Sequence, residues 1–147
     1  MPTSNNSNDL HREIERTLGI VPGWARQTPP TALNGFWALM RDFSMAETTL
    51  PNKYKELIGL GVSGATRCRY CALYHTEGAR LHGASDEEIA EASAMAGLTM
   101  MGSTYLNAKQ VDFDSFQREL MTIVSYAKGY VPPREVHQPP RSDRGRH

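Results

Sequence analysis

The sequence predicts an all-α protein, a single domain built as a bundle of about six or seven helices. Three observations predict it. Apolar residues recur at three- and four-residue spacings, as in Leu33, Phe36, Trp37 and Met40. Helix punctuation separates such stretches: Asn8-Asp9, Ser85 and Asp112 stand where helices should start, and Gly19, Gly83 and Gly129 where they should stop. No convincing strand run and no internal repeat interrupts the pattern.

In chain order, Leu10, Ile14 and Leu18 mark a first helix that Gly19 ends. Residues 20–24 read as a connector, with Trp24 as an aromatic packing anchor. Thr28-Pro29-Pro30 opens a second helix, because proline fits the first turn, and its stripe of Leu33, Phe36, Trp37 and Met40 should face a core. A third helix runs from Leu50-Pro51 toward Gly64. Its apolar face comprises Tyr54, Leu57, Ile58, Gly61, Val62 and Ala65, and its other side holds Glu56, Gly59 and Ser63. Glycine inside a helix costs about 1 kcal/mol relative to alanine, so Gly59, Gly61 and Gly64 suggest very close packing or an irregular helix. Gly64-Ala65-Thr66 reads as the break before a motif helix over residues 67–82, closed by Gly83. Ser85 and Glu88 form a capping box for the next long element, which Gly97 should end before a further helical stretch to Ala108. Asp112 caps the last helix, with Phe113, Phe116, Leu120, Ile123 and Val124 as its stripe.

Composition narrows the function class. Sixteen basic and sixteen acidic residues cancel among 147, so no net field recruits nucleic acid or an anionic membrane. The mean hydropathy is −0.50, and no apolar run is long enough to span a bilayer. Residues 1–8 form a polar, uncharged lead, expected to be flexible and unlike a signal peptide, which makes a cytoplasmic protein the expectation. The helical domain should cover residues 9–129. Residues 130–147 carry two Pro-Pro pairs and four arginines without apolar periodicity, and are expected to be disordered or laid along a neighbouring subunit.

The chemistry concentrates in one stretch. Cys68 and Cys71, the two cysteines of the chain, lie three apart, and His75 follows Cys71 by four. On a helix, at about 100° per residue, the three fall within an arc of roughly 60°. A thiolate is the nucleophile, an imidazole can take its proton, and a second thiol can close a disulfide on the oxidised first one. The helix dipole at a first turn favours Cys68 as the thiolate, whereas the adjacent imidazole favours Cys71. Buried inert cysteines are one rival reading. A structural zinc site is another, but it needs a fourth ligand, for which His82 and His11 are distant recruits. No metal, and no flavin or nicotinamide cofactor, is expected, since no phosphate-binding glycine loop is present.

These residues resemble the alkylhydroperoxidase D (AhpD)-like branch of the carboxymuconolactone decarboxylase superfamily. The resemblance runs from about Leu10 to Gly129. It centres on Glu56-Leu57-Ile58, Cys68-Arg69-Tyr70-Cys71, His75 and Gly83-Ala84-Ser85-Asp86-Glu87-Glu88-Ile89. It implies an all-helical homo-oligomer (dimer, trimer or hexamer) with the active site near subunit contacts. It also implies a thiol-dependent hydroperoxide reductase or disulfide oxidoreductase that takes a peroxide or disulfide substrate and an external dithiol electron donor. In that reading Glu56 and His75 relay a proton, Cys71 attacks and Cys68 closes the disulfide. The AhpD proteins proper carry histidine between the cysteines where this chain has Tyr70, a supporting residue that can donate a hydrogen bond but not accept a proton near neutral pH. The decarboxylases that name the superfamily generally lack the cysteine pair, which weighs against lactone decarboxylation here. A redox-sensing or adaptor protein that does not turn over is the other alternative.

Overall fold

A computed structural model describes residues 5–129, with side chains from Ser7 onward. Among them are seven α-helices and one π-helical turn, and no strand. The helices are α1 (Asn5–Leu18), α2 (Gly23–Gln27), α3 (Pro30–Leu39), α4 (Asn52–Thr66), α5 (Arg69–Leu81), α6 (Asp86–Ala108) and α7 (Phe113–Ala127). The all-α expectation holds. Residues 1–4 of the expected lead and the tail 130–147 lie outside the described residues, and α1 starts at Asn5 rather than near Asn8. The described residues group into two compact units, one up to Met101 and the other from Gly102.

In the first unit, α1 packs on α3. Ile14, Ala25, Leu33 and Trp37 are buried together, with Leu10, Leu18, Val21, Met40 and Met45 around them. The periodicity of the first two predicted helices supplies this cluster. Trp37 Nε1 donates to Glu13 (3.0 Å), and Arg41 donates to the same carboxylate (2.5 Å), so the buried indole keeps a polar partner. Those two bonds hold the Glu13 carboxyl below its usual range. The connector after Gly19 contains a helix that was not expected, α2. The Pro22 carbonyl accepts from the amides of Ala25 and Arg26, which is enough to start a turn.

α3 does not stop at Leu39 but widens into a π turn, Met40–Ser44, where the Met45 amide donates to the Met40 carbonyl (2.8 Å). Such insertions shift the register of the side chains that follow. The π turn and the loop beyond it are tied to α4 by Lys55, whose Nζ donates to the carbonyls of Phe43 (2.8 Å) and Ala46 (2.7 Å). The buried Asn52 donates to the Met45 carbonyl (2.9 Å).

α4 and α5 form the tightest helix pair. The expected break at Gly64-Ala65-Thr66 falls one residue later. α4 runs through Thr66, and Arg67 takes the left-handed conformation (φ 57°). Cys68 N–H donates to the Ser63 carbonyl (3.0 Å) and Arg67 N–H to that of Gly64 (3.2 Å), so two terminal carbonyls of α4 are satisfied within two residues. The chain then reverses directly into α5.

The apolar face of α4 is not its buried face. Tyr54, Ile58 and Val62 stand half exposed, whereas Asn52, Glu56, Leu60 and Ser63 are buried. Small residues on that side let α5 approach, and the buried carboxylate has a partner there, so apolar content did not set the orientation.

α6 opens with the expected capping box: Glu88 N–H donates to Ser85 Oγ (3.2 Å) and Ser85 N–H to Glu88 Oε2 (2.9 Å). Lys53 of α4 donates to Glu88 Oε1 (2.8 Å). Gly97 does not end this helix. Its φ is not positive, and good helix formers on both sides carry the hydrogen-bond ladder through it. In the second unit, Asp112 caps α7 by accepting from Ser115 N–H (2.9 Å). The stripe of α7 is present as expected but exposed, with Phe113 72% and Ile123 63% accessible.

Candidate active site

Every part of the candidate site lies in the first unit and comes from α2 through α5. Cys68 is the N-cap of α5, one position outside the helix rather than in its first turn. The Cys71 amide donates to its sulfur (3.2 Å). Cys68 and Cys71 are joined as a disulfide, with Cα atoms 5.3 Å apart. As residues, Cys68 is half-buried and Cys71 is exposed.

His75 lies one turn after Cys71 on α5, and its Nδ1 is 2.6 Å from Glu56 Oε2 of α4. Nineteen residues separate the two in sequence, and the α4–α5 reversal brings them together. The Glu56 side chain is only 5% exposed, against 25% for His75. A carboxylate can only accept, so in this contact Nδ1 is the donor and Nε2 is the ring nitrogen not engaged by Glu56. The imidazole is therefore held from behind by a buried acceptor.

Cys71 and His75 lie on the wall of a cavity of about 790 Å³. Trp24, Phe36, Met40, Tyr70 and Tyr74 make most of the remaining wall. Trp24 and Phe36 meet edge to face, with ring centroids 5.5 Å apart. The stripe expected to face the core therefore divides: Leu33 and Trp37 enter it, while Phe36, 52% exposed, turns to the cavity. Trp24, expected as a packing anchor, is a wall residue as well. The π turn matters at this point, because Met40 and Ser44 sit at its two ends and both line the cavity.

Tyr70 lines the cavity mouth and is 74% exposed. Its hydroxyl accepts from Arg69 Nη2 (3.3 Å), and the Arg69 guanidinium lies 5.0 Å from its ring centre. Tyr74, which the sequence reading passed over, is closer to the Glu56–His75 pair. Its ring meets that of His75 edge to face at 5.1 Å. Burial holds its phenol above the ordinary range, the Glu56 charge adds to this, and a side-chain hydrogen bond with Ser44 opposes it. Tyr74 therefore stays protonated and able to donate throughout the neutral range. Its spacing of four from Tyr70, one residue before His75, was the available signal. Among the described residues, no three His, Cys, Asp or Glu side chains gather as a metal-binding set.

The sequence model of the carboxymuconolactone decarboxylase family matches residues 32–111, which contain the cysteine pair, His75 and Glu56. The chain belongs to the carboxymuconolactone decarboxylase family. Within the family it is AhpD-like: the crystal structure of an alkylhydroperoxidase AhpD core from Rhodospirillum rubrum superposes with a TM-score of 0.67 at 28% identity, covering 78% of this chain and 88% of that one. An uncharacterised protein of the cox locus of Paracoccus denitrificans is 35% identical over 65 residues, 44% of this chain and 59% of that protein. An uncharacterised protein of Cupriavidus necator is 32% identical over 83 residues, 56% of this chain and 69% of that one. This family member thus spans less than two thirds of the Paracoccus protein's length. Among the described residues, no helix is long and apolar enough to cross a membrane.

Proposed function

We propose that this protein is a thiol-dependent hydroperoxide reductase whose substrates carry an apolar organic group. One observation carries the reading: Cys71 and His75 share the wall of an apolar cavity, and His75 is backed by the buried Glu56. In the reduced enzyme, His75 Nε2 takes the Cys71 proton and the thiolate attacks an oxygen of the peroxide. An S–O bond forms as the O–O bond breaks. The departing alkoxide takes the proton from His75 and leaves as the alcohol. Glu56 holds the ring in the tautomer that can do both.

Cys71 is then a sulfenic acid. The Cys68 sulfur attacks it, forming the disulfide and releasing hydroxide, which is protonated to water. An external dithiol reduces the disulfide and is itself oxidised. Cys71, the more exposed residue of the pair, takes that attack. Cys68 is the better leaving group, because the N-terminus of α5 and the Cys71 amide favour negative charge on its sulfur. Across the cycle, one hydroperoxide and one dithiol become an alcohol, water and a disulfide.

The same reading takes this chain to be a homo-oligomer. Tyr54, Ile58 and Val62 recur every four residues along α4 and are each about half exposed, and the α7 stripe is uncovered. Apolar rows of this kind usually mark association surfaces. Light scattering after size exclusion should give more than one subunit.

The enzyme reading is tested by consumption of cumyl hydroperoxide with a dithiol donor. The wild type should turn over repeatedly. Cys71→Ser should abolish consumption, and Cys68→Ser should consume about one equivalent and stop. Consumption of a single equivalent by the wild type, with donor in excess, would favour a redox sensor instead.

A further inference from the structure

The two residues of the proton relay are each followed, three positions later, by a glycine: Glu56 by Gly59 on α4, and His75 by Gly78 on α5. The structure pairs them crosswise. A Cβ placed on Gly59 would lie 2.5 Å from His75 Nδ1 and 2.6 Å from Nε2, and nearer still to Cε1 between them. Three atoms of the ring are thus almost equally close, so the imidazole lies face-on against the Gly59 backbone. A Cβ placed on Gly78 would lie 2.7 Å from Glu56 Oε2 and 2.8 Å from Cδ. Each glycine therefore occupies the space where any side chain would displace the relay residue of the opposite helix.

We infer that Gly59 and Gly78 are positioning residues, which set the Glu56–His75 hydrogen bond and through it the tautomer of His75. The inference rests on the proposed relay for its catalytic meaning, but its geometry stands without it. The cost of yielding is the shared hydrogen bond. Glu56, whose side chain is 5% exposed, and His75 must each leave that 2.6 Å contact to swing aside. Other helical glycines differ. At Gly64, also on α4, a Cβ would meet nothing within 4 Å, and at Gly61 it would meet only Ala96 at an ordinary 3.5 Å. Close helix approach alone therefore does not explain glycine at 59 and 78.

The test compares Gly59→Ala and Gly78→Ala with Gly64→Ala, three substitutions of equal helix propensity. The first readout is the ¹⁵N shifts of His75, identified by their loss in His75→Gln. They report the tautomer whether or not the protein reduces any peroxide. The wild type should show the Nδ1–H form held by Glu56. Both Gly59→Ala and Gly78→Ala should drift toward the Nε2–H form that free histidine prefers, and Gly64→Ala should keep the wild-type shifts. The second readout is single-turnover oxidation of the reduced thiols against pH. It should fall at least ten-fold, with an altered profile, in the first two variants and stay within two-fold in the third. Unchanged His75 shifts in Gly59→Ala and Gly78→Ala would overturn the inference. So would loss of helix in both with Gly64→Ala folded, since the glycines would then serve folding alone. Altered shifts in a protein whose wild type consumes no peroxide would leave the positioning role standing and remove the peroxidase reading.

Discussion

Replacing Glu56 separates what its charge does from what its shape does. Glutamine keeps the outline of the side chain and retains an amide oxygen that can accept from His75 Nδ1–H across the present 2.6 Å. What is lost is the charge. A hydrogen bond to a charged group contributes about 1.5–3 kcal/mol, against about 1 kcal/mol for a neutral pair. The His75 side chain is a quarter exposed, which screens the interaction and favours the lower half of that difference. A loss of about 1 kcal/mol in holding the protonated ring corresponds to a rate lower by roughly five-fold. Alanine removes the acceptor too and leaves the imidazole undirected, so it forfeits much of the acid–base contribution and should cost about a hundred-fold. The assay is single-turnover oxidation of the reduced thiols by cumyl hydroperoxide, followed across about pH 6–8. Glu56→Gln should unfold within a few degrees of the wild type. Wild-type rates for Glu56→Gln throughout that range, or an alanine variant no slower than the glutamine one, would refute the relay while leaving the thiol chemistry intact.

Three further outcomes follow from the same geometry. Phe36→Ala opens the apolar wall; withdrawing about 50 Å² of contact at ~25 cal/mol per Å² should lower kcat/KM for cumyl hydroperoxide by nearly ten-fold. Hydrogen peroxide, too small to reach that ring, should be consumed at the wild-type rate, and equal losses on both substrates would argue against the cavity as the binding site. Arg67→Gly relieves a left-handed non-glycine residue, and after the entropy lost by glycine it should stabilise the fold by about 0.5–1 kcal/mol, read as a higher Tm. A lower Tm would mean that the Arg67 side chain supports the turn. At Glu88, the hydrogen bond from Lys53 and then that from the Ser85 amide hold the carboxyl below its usual range. Its stabilising effect is therefore present above the unfolded value, near 4.3, and is lost as pH falls through the lower folded one. The Tm gap between wild type and Lys53→Ala should accordingly close as pH falls from 7 toward about 3, and a constant gap would exclude the ion pair as its source.

Much of the fold was legible because its signals are local. The Ser85–Glu88 capping box, the Asp112 cap and the Leu33–Trp37 repeat act within one or two turns, and each is found where the sequence places it. The reading failed where a nonlocal partner decided the outcome. Trp24 and Phe36 carry the residue types of a core, and only the folded chain turns them to a cavity wall. The α4 wheel gathers Tyr54, Ile58 and Val62 on one apolar face without deciding what covers it, because hydrophobicity is a preference for any covered surface and does not specify which one. Whether a row of apolar side chains meets a neighbouring helix or solvent depends on where the chain reverses.

The sequence by itself determined the helical class, the family and the spacing of Cys68, Cys71 and His75, since periodicity, caps and a short motif lie within reach of a few bonds. Only the tertiary structure decided that Glu56 faces inward, that His75 meets it at 2.6 Å, and that two glycines leave room for them. Those relations hold between residues nineteen positions apart, on helices whose closeness was set at Arg67. A buried carboxylate is tolerated because its partner arrives with it, and that pairing exists only once both helices have packed.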